Sequence, residues 1–420
     1  MGPRSRPAVS ATPPERARNT APRRASAGVS PARTCAFAVV RRVFEQDAYA
    51  DRALAAEARG LQPRDRALAT ALAYTTVQRR ATLDHVLAAL SNRPLHRLEP
   101  GAVAALRLGL AQLLLLDGIA DHAAVHESVE LAKGASRGAA SFVNAVLRRA
   151  TREGPGLLAA LDDATPAHAA VLHSVPQWLA EMWFAELGPV QARALLCAVN
   201  RPPESALRVN TLVATRADVA AALPVPSRPA VLPEGLVLEG PFDVEGSELW
   251  RAGAIMGQSR GSMAPAHLLG AGPDERVLDL CAAPGAKTGQ LAAMMENRGR
   301  LLAVERHPGR AAALERTLTR LRIACAEVRV ADAAALGGAE RFDRVLVDPP
   351  CSGLGTLQSR PDIRWRVTPE RLRALPDVQL RILRAGAALL RPGGTLVYSV
   401  CTISRPESEG VIERFLAAEP

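Results

Sequence analysis

Arg344 Val345 Leu346 Val347 Asp348 Pro349 Pro350 Cys351 Ser352 Gly353 is an apolar run that ends in a carboxylate, two prolines and a cysteine. Proline cannot donate to a sheet ladder, so the run reads as a buried strand that stops at Asp348. Asp348 and Cys351 then stand at the mouth of a sheet. On this stretch alone two readings of the cysteine are open: a reactive thiol, or a small buried residue without chemistry.

Working outward, the last third of the chain alternates strand and helix. Strands are predicted at 276–280, 300–304, 327–330, 344–348 and 394–399, with helices at 286–295, 309–321 and 370–389. Such alternation predicts a parallel sheet covered by helices on both faces, with ligands at the strand C-termini. Asp279, Glu305, Asp332, Asp348 and Cys401 all fall at or just beyond such ends.

The first of these strands runs into Asp279 Leu280 Cys281 Ala282 Ala283 Pro284 Gly285 Ala286 Lys287 Thr288. A turn of small residues between strand and helix lets a nucleotide approach the backbone and face helix N-terminal amides. Cys281 and Ala286 stand where a Walker A loop needs glycines, and the GxGxxG spacing of a dinucleotide fold is missing, so ATP and NAD fit poorly. Glu305 is placed to accept both ribose hydroxyls, and Asp332 to accept from an adenine amino group. Two carboxylates and a neutral turn suit a cofactor with adenosine but no phosphates, which is the character of S-adenosylmethionine. Taken singly, each carboxylate also reads as a helix cap or an exposed loop acid; their joint spacing favours the cofactor.

At 420 residues and 44.4 kDa the chain exceeds one ordinary core, and two or three domains are expected. No apolar run is long enough to span a membrane, so a soluble, cytoplasmic protein is expected. Six cysteines without a CxxC pair argue against zinc and for a reducing compartment. The formal charge is +10, but residues 1–33 hold seven arginines and one glutamate, so global charge is weak evidence for nucleic acid. Lysine occurs only at Lys133 and Lys287.

Residues 1–33, rich in Pro, Ala, Ser and Arg, read as a disordered basic tail, preferred over an organelle transit peptide. From Cys35 apolar residues recur at helical spacing, with further stripes at 65–78, 82–90, 101–116, 123–133 and 139–149. An all-α domain over 34–150 is expected. His122 and His126 share a helix face, but no third ligand accompanies them, so ordinary helix residues are preferred to a metal site. Residues 151–175 read as a linker with a short helix, followed by helices at 176–187 and 189–199. Ala206–Thr211 reads as a strand opening a small α+β region, so 151–255 forms a connecting part. Arg360, Arg364 and Trp365 lie on a loop near the expected mouth, where arginine can hold phosphates and tryptophan stack on a base; a solvated basic loop is the alternative.

Two sets of residues carry a family resemblance. Arg64 Asp65 Arg66, Leu83 Asp84, Ala105 to Gly109 and Phe142 to Arg148 resemble a NusB-type helical domain, which implies RNA binding. With the 279–288 turn, the 348–353 stretch and Tyr398 Ser399 Val400 Cys401 Thr402, residues 34–420 resemble the RsmB-type RNA (cytosine-5) methyltransferases of the Sun family. The resemblance implies a multidomain chain: an all-α NusB-like domain followed by an α/β Rossmann-like class I methyltransferase domain at 256–420. It implies S-adenosylmethionine at Cys281, Ala282, Ala283, Pro284, Gly285, Ala286, Lys287, Glu305, Asp332 and Asp348, and a cytosine of small-subunit (16S) ribosomal RNA as substrate. It further implies that Cys401 is the attacking thiol, that Cys351 promotes release, and that Arg208 and Asn210 lie on the substrate side; polar residues at a sheet edge remain the other reading of that pair. For this chemistry a carboxyl group near ring nitrogen 3 of the base, which suits Asp348, assists by donating or sharing a proton.

A monomer without metal is expected. Ala286, Glu305 and Gln258–Ser259 depart from the family pattern, and the resemblance implies a β-hairpin after Pro420. Two other classes compete. A non-catalytic NusB-like RNA-binding protein has no need of two placed cysteines. A DNA cytosine-5 methyltransferase would use Cys351 as nucleophile and leave Cys401 and the helical domain unexplained.

Overall fold

The computed structural model describes residues 28–136 and 138–419 of the chain. The expected basic tail lies outside the described residues as far as Ala27. Its last residues, Pro31 to Arg33, belong instead to helix α1 (Pro31–Glu45), where proline suits the first turn. Arg33 is drawn inward because its guanidinium pairs with Glu127 at 2.8 Å and Gln112 at 2.6 Å.

The helical stripes of the N-terminal third form α1, α2 (Ala50–Glu57), α3 (Pro63–Gln78), α4 (Arg80–Leu90), α5 (Pro100–Leu114), α6 (Asp121–Ala132) and α7 (Ala139–Ala159). Helix α2 was not expected, since it buries only small alanines such as Ala50 and Ala53, which write a faint stripe. Helix α7 runs on through Gly154 and Pro155, where a linker was expected. Gly154 lies so close to Leu114 that a Cβ would stand 2.8 Å from Leu114 Cδ2, so the glycine serves close packing rather than a chain break.

The described chain groups into two compact units, one with the residues up to Asp47, Arg52–Ala73 and Leu87–Pro155, the other with Ala48–Asp51, Tyr74–Val86 and Gly156 onward.

In the second unit α8 (Pro166–Leu172) and α9 (Gln177–Ala198) form a helical pair, α9 being broken at Gly188, whose φ is 75°. Leu179, Trp183 and Leu196 of this pair bury Leu354, Leu357 and Ile363, thereby fixing the loop that follows Cys351. A small antiparallel sheet comes next: β1 (Ala206–Val209), β2 (Ser227–Pro229), β3 (Gly235–Leu238) and β4 (Ile255–Gly257), in the order β2-β3-β1-β4, with helices α10 (Arg216–Ala222) and α11 (Glu248–Arg251).

After α12 (Arg260–Leu269) the expected alternation appears as β5 (Arg276–Leu280), α13 (Ala286–Met294), β6 (Arg300–Glu305), α14 (Pro308–Arg320), β7 (Ala326–Val330), β8 (Phe342–Val347), α15 (Ile363–Arg366), α16 (Pro369–Ala388), β9 (Leu390–Tyr398) and α17 (Glu409–Ala418). The five strands pair in parallel in the order β7-β6-β5-β8-β9. Val277, Leu301, Ala303 and Leu346 pack under α12, α13 and α14 on one face, while Leu278, Leu302, Val345 and Val347 meet α16 and α17 on the other. Strand order reverses at β5, and the crevice beyond its C-terminal end is where such sheets hold ligands.

Candidate active site

Beyond β5 the backbone turns sharply. Cys281 has φ 66°, the Ala283–Pro284 bond is cis, and Gly285 has φ 102°. A Cβ on Gly285 would lie 2.7 Å from Leu314 Cδ1, so glycine is required there twice over. Helix α13 begins at Ala286 and aims its free amides at the crevice. Below the turn, Asp279 is buried and accepts from Thr288 Oγ1 at 2.7 Å, while its Oδ1 has no partner. Burial, opposed by the Thr288 bond, pushes the Asp279 carboxyl up to about 7.

Glu305 ends β6 and is 3% exposed; Oε1 accepts from the His307 amide at 2.9 Å, and Oε2 lies 3.3 Å from Arg310. Arg310 also donates to the Ala283 carbonyl at 2.9 Å and so ties the turn to this carboxylate, a role with no signal in the sequence. Asp332 caps the 3₁₀ turn Ala333–Ala335, accepting from the Ala334 amide at 3.0 Å, with Arg306 3.9 Å away. Lys287, in the first turn of α13, reaches across the crevice and donates to Asp348 Oδ2 at 2.8 Å.

The loops after β8 and β9 bring together two cysteines fifty residues apart: Cys351 Sγ and Cys401 Sγ are 3.2 Å from each other. The Gly355 amide donates to the Cys401 carbonyl at 3.1 Å and holds one loop on the other. Cys401 remains accessible to solvent although protein atoms crowd it. The hydrogen bond from Cys351 lowers its pKa, with help from Lys287 and Arg360 and against burial and Asp348. Cys351 moves the opposite way, raised by that same pairing and by burial. Burial pushes Cys281 up to about 12 and Cys35 to about 11. Of the two thiols, Cys401 is the one whose surroundings favour the thiolate.

The residues expected to face RNA part company. Arg208 is fully buried; it donates to Gln258 Oε1 at 2.8 Å and toward the Ala286 carbonyl at 3.4 Å, and burial lowers it to about 10. Asn210, also fully buried, donates to the Gly253 and Leu321 carbonyls at 2.9 and 2.8 Å. Arg364 is sunk among the Ser174, Val199 and Leu357 carbonyls and Asn200. Their burial runs against contact with RNA: all three satisfy internal acceptors, Arg208 tying the small sheet to the start of α13 and Asn210 tying it to the end of α14. Trp365 donates to the Val77 carbonyl at 2.7 Å and lies under Arg80, so its indole is already packed. Arg360 keeps a partly exposed guanidinium, 3.9 Å from Asp51.

Known protein families match three stretches of the chain. Residues 30–152 match the NusB family model, 175–245 a ferredoxin-like domain of RsmF/B-type methyltransferases, and 266–420 the 16S rRNA methyltransferase RsmB/F model. The chain is 36% identical to the probable ribosomal RNA small subunit methyltransferase B of Bacillus subtilis, over 86% of this chain and 82% of that protein. The chain belongs to the RsmB/F methyltransferase family. Ribosomal RNA small subunit methyltransferase B of Thermus thermophilus is 37% identical over 85% of this chain and 80% of its own. Among solved structures, that of PH0851 matches with a TM-score of 0.80 at 25% identity, covering 93% of this chain and 90% of that one. The family fold is therefore a NusB domain followed by a Rossmann-like methyltransferase domain.

The crevice fits the methyl donor such a methyltransferase uses. Its acceptors Glu305 and Asp332 match the hydroxyl and amino donors of an adenosine. Its lysine is paired to Asp348 rather than free for a phosphate. Among the described residues no group of three or more His, Cys, Asp or Glu side chains could hold a metal ion, and no helix is long and apolar enough to cross a membrane.

Proposed function

We propose that the protein transfers a methyl group from S-adenosylmethionine to carbon 5 of a cytosine in small-subunit ribosomal RNA, through a covalent adduct between Cys401 and carbon 6. The observation that carries this reading is the pair of thiols 3.2 Å apart beside the Lys287–Asp348 ion pair. S-adenosylmethionine supplies an electrophilic methyl group, with Cys281 to Lys287, Glu305 and Asp332 holding it. The relatives' names support the RNA class.

Carbon 5 of cytosine is a poor nucleophile. Addition of the Cys401 thiolate to carbon 6 makes it enamine-like and gives it an electron pair for the methyl group that bound S-adenosylmethionine would supply, the donor's sulfur departing as a neutral thioether. Asp348 is held by Lys287 through Oδ2, which leaves Oδ1 to take the proton released by the Cys401 thiol, pass it to ring nitrogen 3 as negative charge builds there, and take it back when the product leaves. Once the Cys401 sulfur is bonded to carbon, Cys351 no longer faces a thiolate and can release its own proton to solvent. The Cys351 thiolate then removes the proton from carbon 5; those electrons restore the double bond and expel Cys401. The base must leave its stack to reach both thiols.

The test is a pair of variants incubated with methyl donor and ribosomal RNA. Cys351→Ala accumulates a denaturant-stable protein–RNA adduct, and Cys401→Ala forms none. The reverse pattern makes Cys351 the nucleophile, and methylation of duplex DNA but not RNA overturns the substrate.

A further inference from the structure

Glu407 is a fully buried carboxylate on the 3₁₀ turn Arg405–Glu407, and among the described residues no basic side chain pairs with it. Its charge is met by hydrogen bonds alone. Oε2 accepts from the Ser352 amide at 2.8 Å and from Gln379 Nε2 at 3.0 Å. Oε1 accepts from the Ser352 hydroxyl, and Thr402 Oγ1 lies 3.3 Å away. Ser352 follows Cys351 and Thr402 follows Cys401, and their hydroxyls are themselves 2.7 Å apart. Gln379 also donates to the Pro350 carbonyl at 3.0 Å, and Tyr398 donates to the Glu407 carbonyl at 2.7 Å. One carboxylate therefore touches the neighbour of each thiol, and its partners hold the strand end and the proline on either side. A buried carboxyl group without a cationic partner is costly unless its oxygens are hydrogen-bonded, and here the Ser352 amide, Gln379 and two hydroxyls surround it.

We propose that Glu407 is a positioning residue that clamps the two cysteine loops at the separation where Cys401 and Cys351 share a proton. The proposal rests on the catalytic reading above for its effect on turnover, but the clamp itself is a property of the thiols. Other charged groups facing Cys401 are Asp348 from the β8 loop, Lys287 from α13, and Arg360 from the loop before α15. Glu407 touches none of them, so loosening it acts on Cys401 through the distance to Cys351.

The experiment compares wild type, Glu407→Ala and Glu407→Gln by the pH dependence of Cys401 alkylation with iodoacetamide, read by mass spectrometry of its peptide, and by steady-state kinetics on ribosomal RNA. In Glu407→Ala the alkylation midpoint of Cys401 rises toward that of an ordinary thiol. With it kcat falls about a hundredfold, as for a misplacement of about 1 Å, while KM for RNA stays within about twofold. Glu407→Gln gives partial rescue, because its amide oxygen can still take the Ser352 amide and Gln379, and the two hydroxyls can reverse to accept from its nitrogen. It returns the midpoint toward wild type and recovers about tenfold of the lost kcat.

A Glu407→Ala protein that loses thermal stability or kcat with an unmoved midpoint overturns the clamp. Should Glu407→Ala not fold, Ser352→Ala removes the hydroxyl arm alone; the same upward shift supports the clamp and an unmoved midpoint overturns it. A Cys351→Ala protein that forms no adduct with RNA sinks the catalytic reading, and the alkylation profiles still decide the clamp.

Discussion

Asp279 sits at the end of β5 with one oxygen bonded to Thr288 and the other unpartnered, and burial raises its carboxyl to about 7. In the unfolded chain the same group ionises near 3.8. Below that pH both states are protonated and Asp279 costs nothing. As pH rises toward 7 the unfolded chain gives up its proton while the native one keeps it, so the folded state loses relative stability, by at most about 4 kcal/mol once both are ionised. Asp279→Asn keeps an acceptor for Thr288 and removes the titration. Urea denaturation at pH 5 and pH 8 should therefore show wild type losing stability against Asp279→Asn as pH rises; parallel behaviour contradicts a buried, protonated Asp279. None of this could be read from sequence, where Asp279 is one more carboxylate at a strand end. Asp348 and Cys351 stood out because an acid and a thiol on either side of two prolines after an apolar strand are unusual, and Cys401 because it lies just past the end of another such strand. The pairing of Lys287 with Asp348 depends on α13 crossing the crevice, which spacing alone does not reveal.

Among the elements, the parallel sheet was the most legible part of the chain, since β5 to β9 are apolar runs with helix-period stripes between them. The short helix α15 was the least legible. Arg360, Asp362 and Arg364 there look like a solvated basic loop, yet Arg364 is fully buried because the α8–α9 pair and the 3₁₀ turn Leu354–Thr356 close over it. Its guanidinium gathers the Ser174, Val199 and Leu357 carbonyls, and burial lowers its pKa to about 9. Residue type suggested RNA, whereas tertiary packing supplied carbonyls instead. Arg364→Met leaves those carbonyls without a donor, and the expected loss is about 2–4 kcal/mol of unfolding free energy, read by denaturant titration. RNA affinity of the folded fraction should be unchanged. A stable Arg364→Met protein with weakened RNA binding would restore the RNA-facing role.

For the whole molecule, charge and chemistry are separable. The formal charge of +10 is concentrated in residues 1–33, while the crevice is organised by carboxylates, one paired lysine and two thiols. Arginines that neutralise phosphates raise affinity through counterion release, and that contribution fades as salt rises; they do not alter the reacting groups. Removing residues 1–27 should therefore weaken binding to ribosomal RNA at low salt and make log affinity fall less steeply with log salt, by up to about 4 in slope for six arginines on single-stranded RNA. At high salt the full-length and shortened proteins should converge in affinity, and at saturating RNA their kcat should agree. Filter binding across a salt series, with single-turnover methylation beside it, makes the comparison. A shortened protein with an unchanged salt slope would shift RNA attraction to the described residues, where Arg360 is a partly exposed cation whose charge is felt at Cys401.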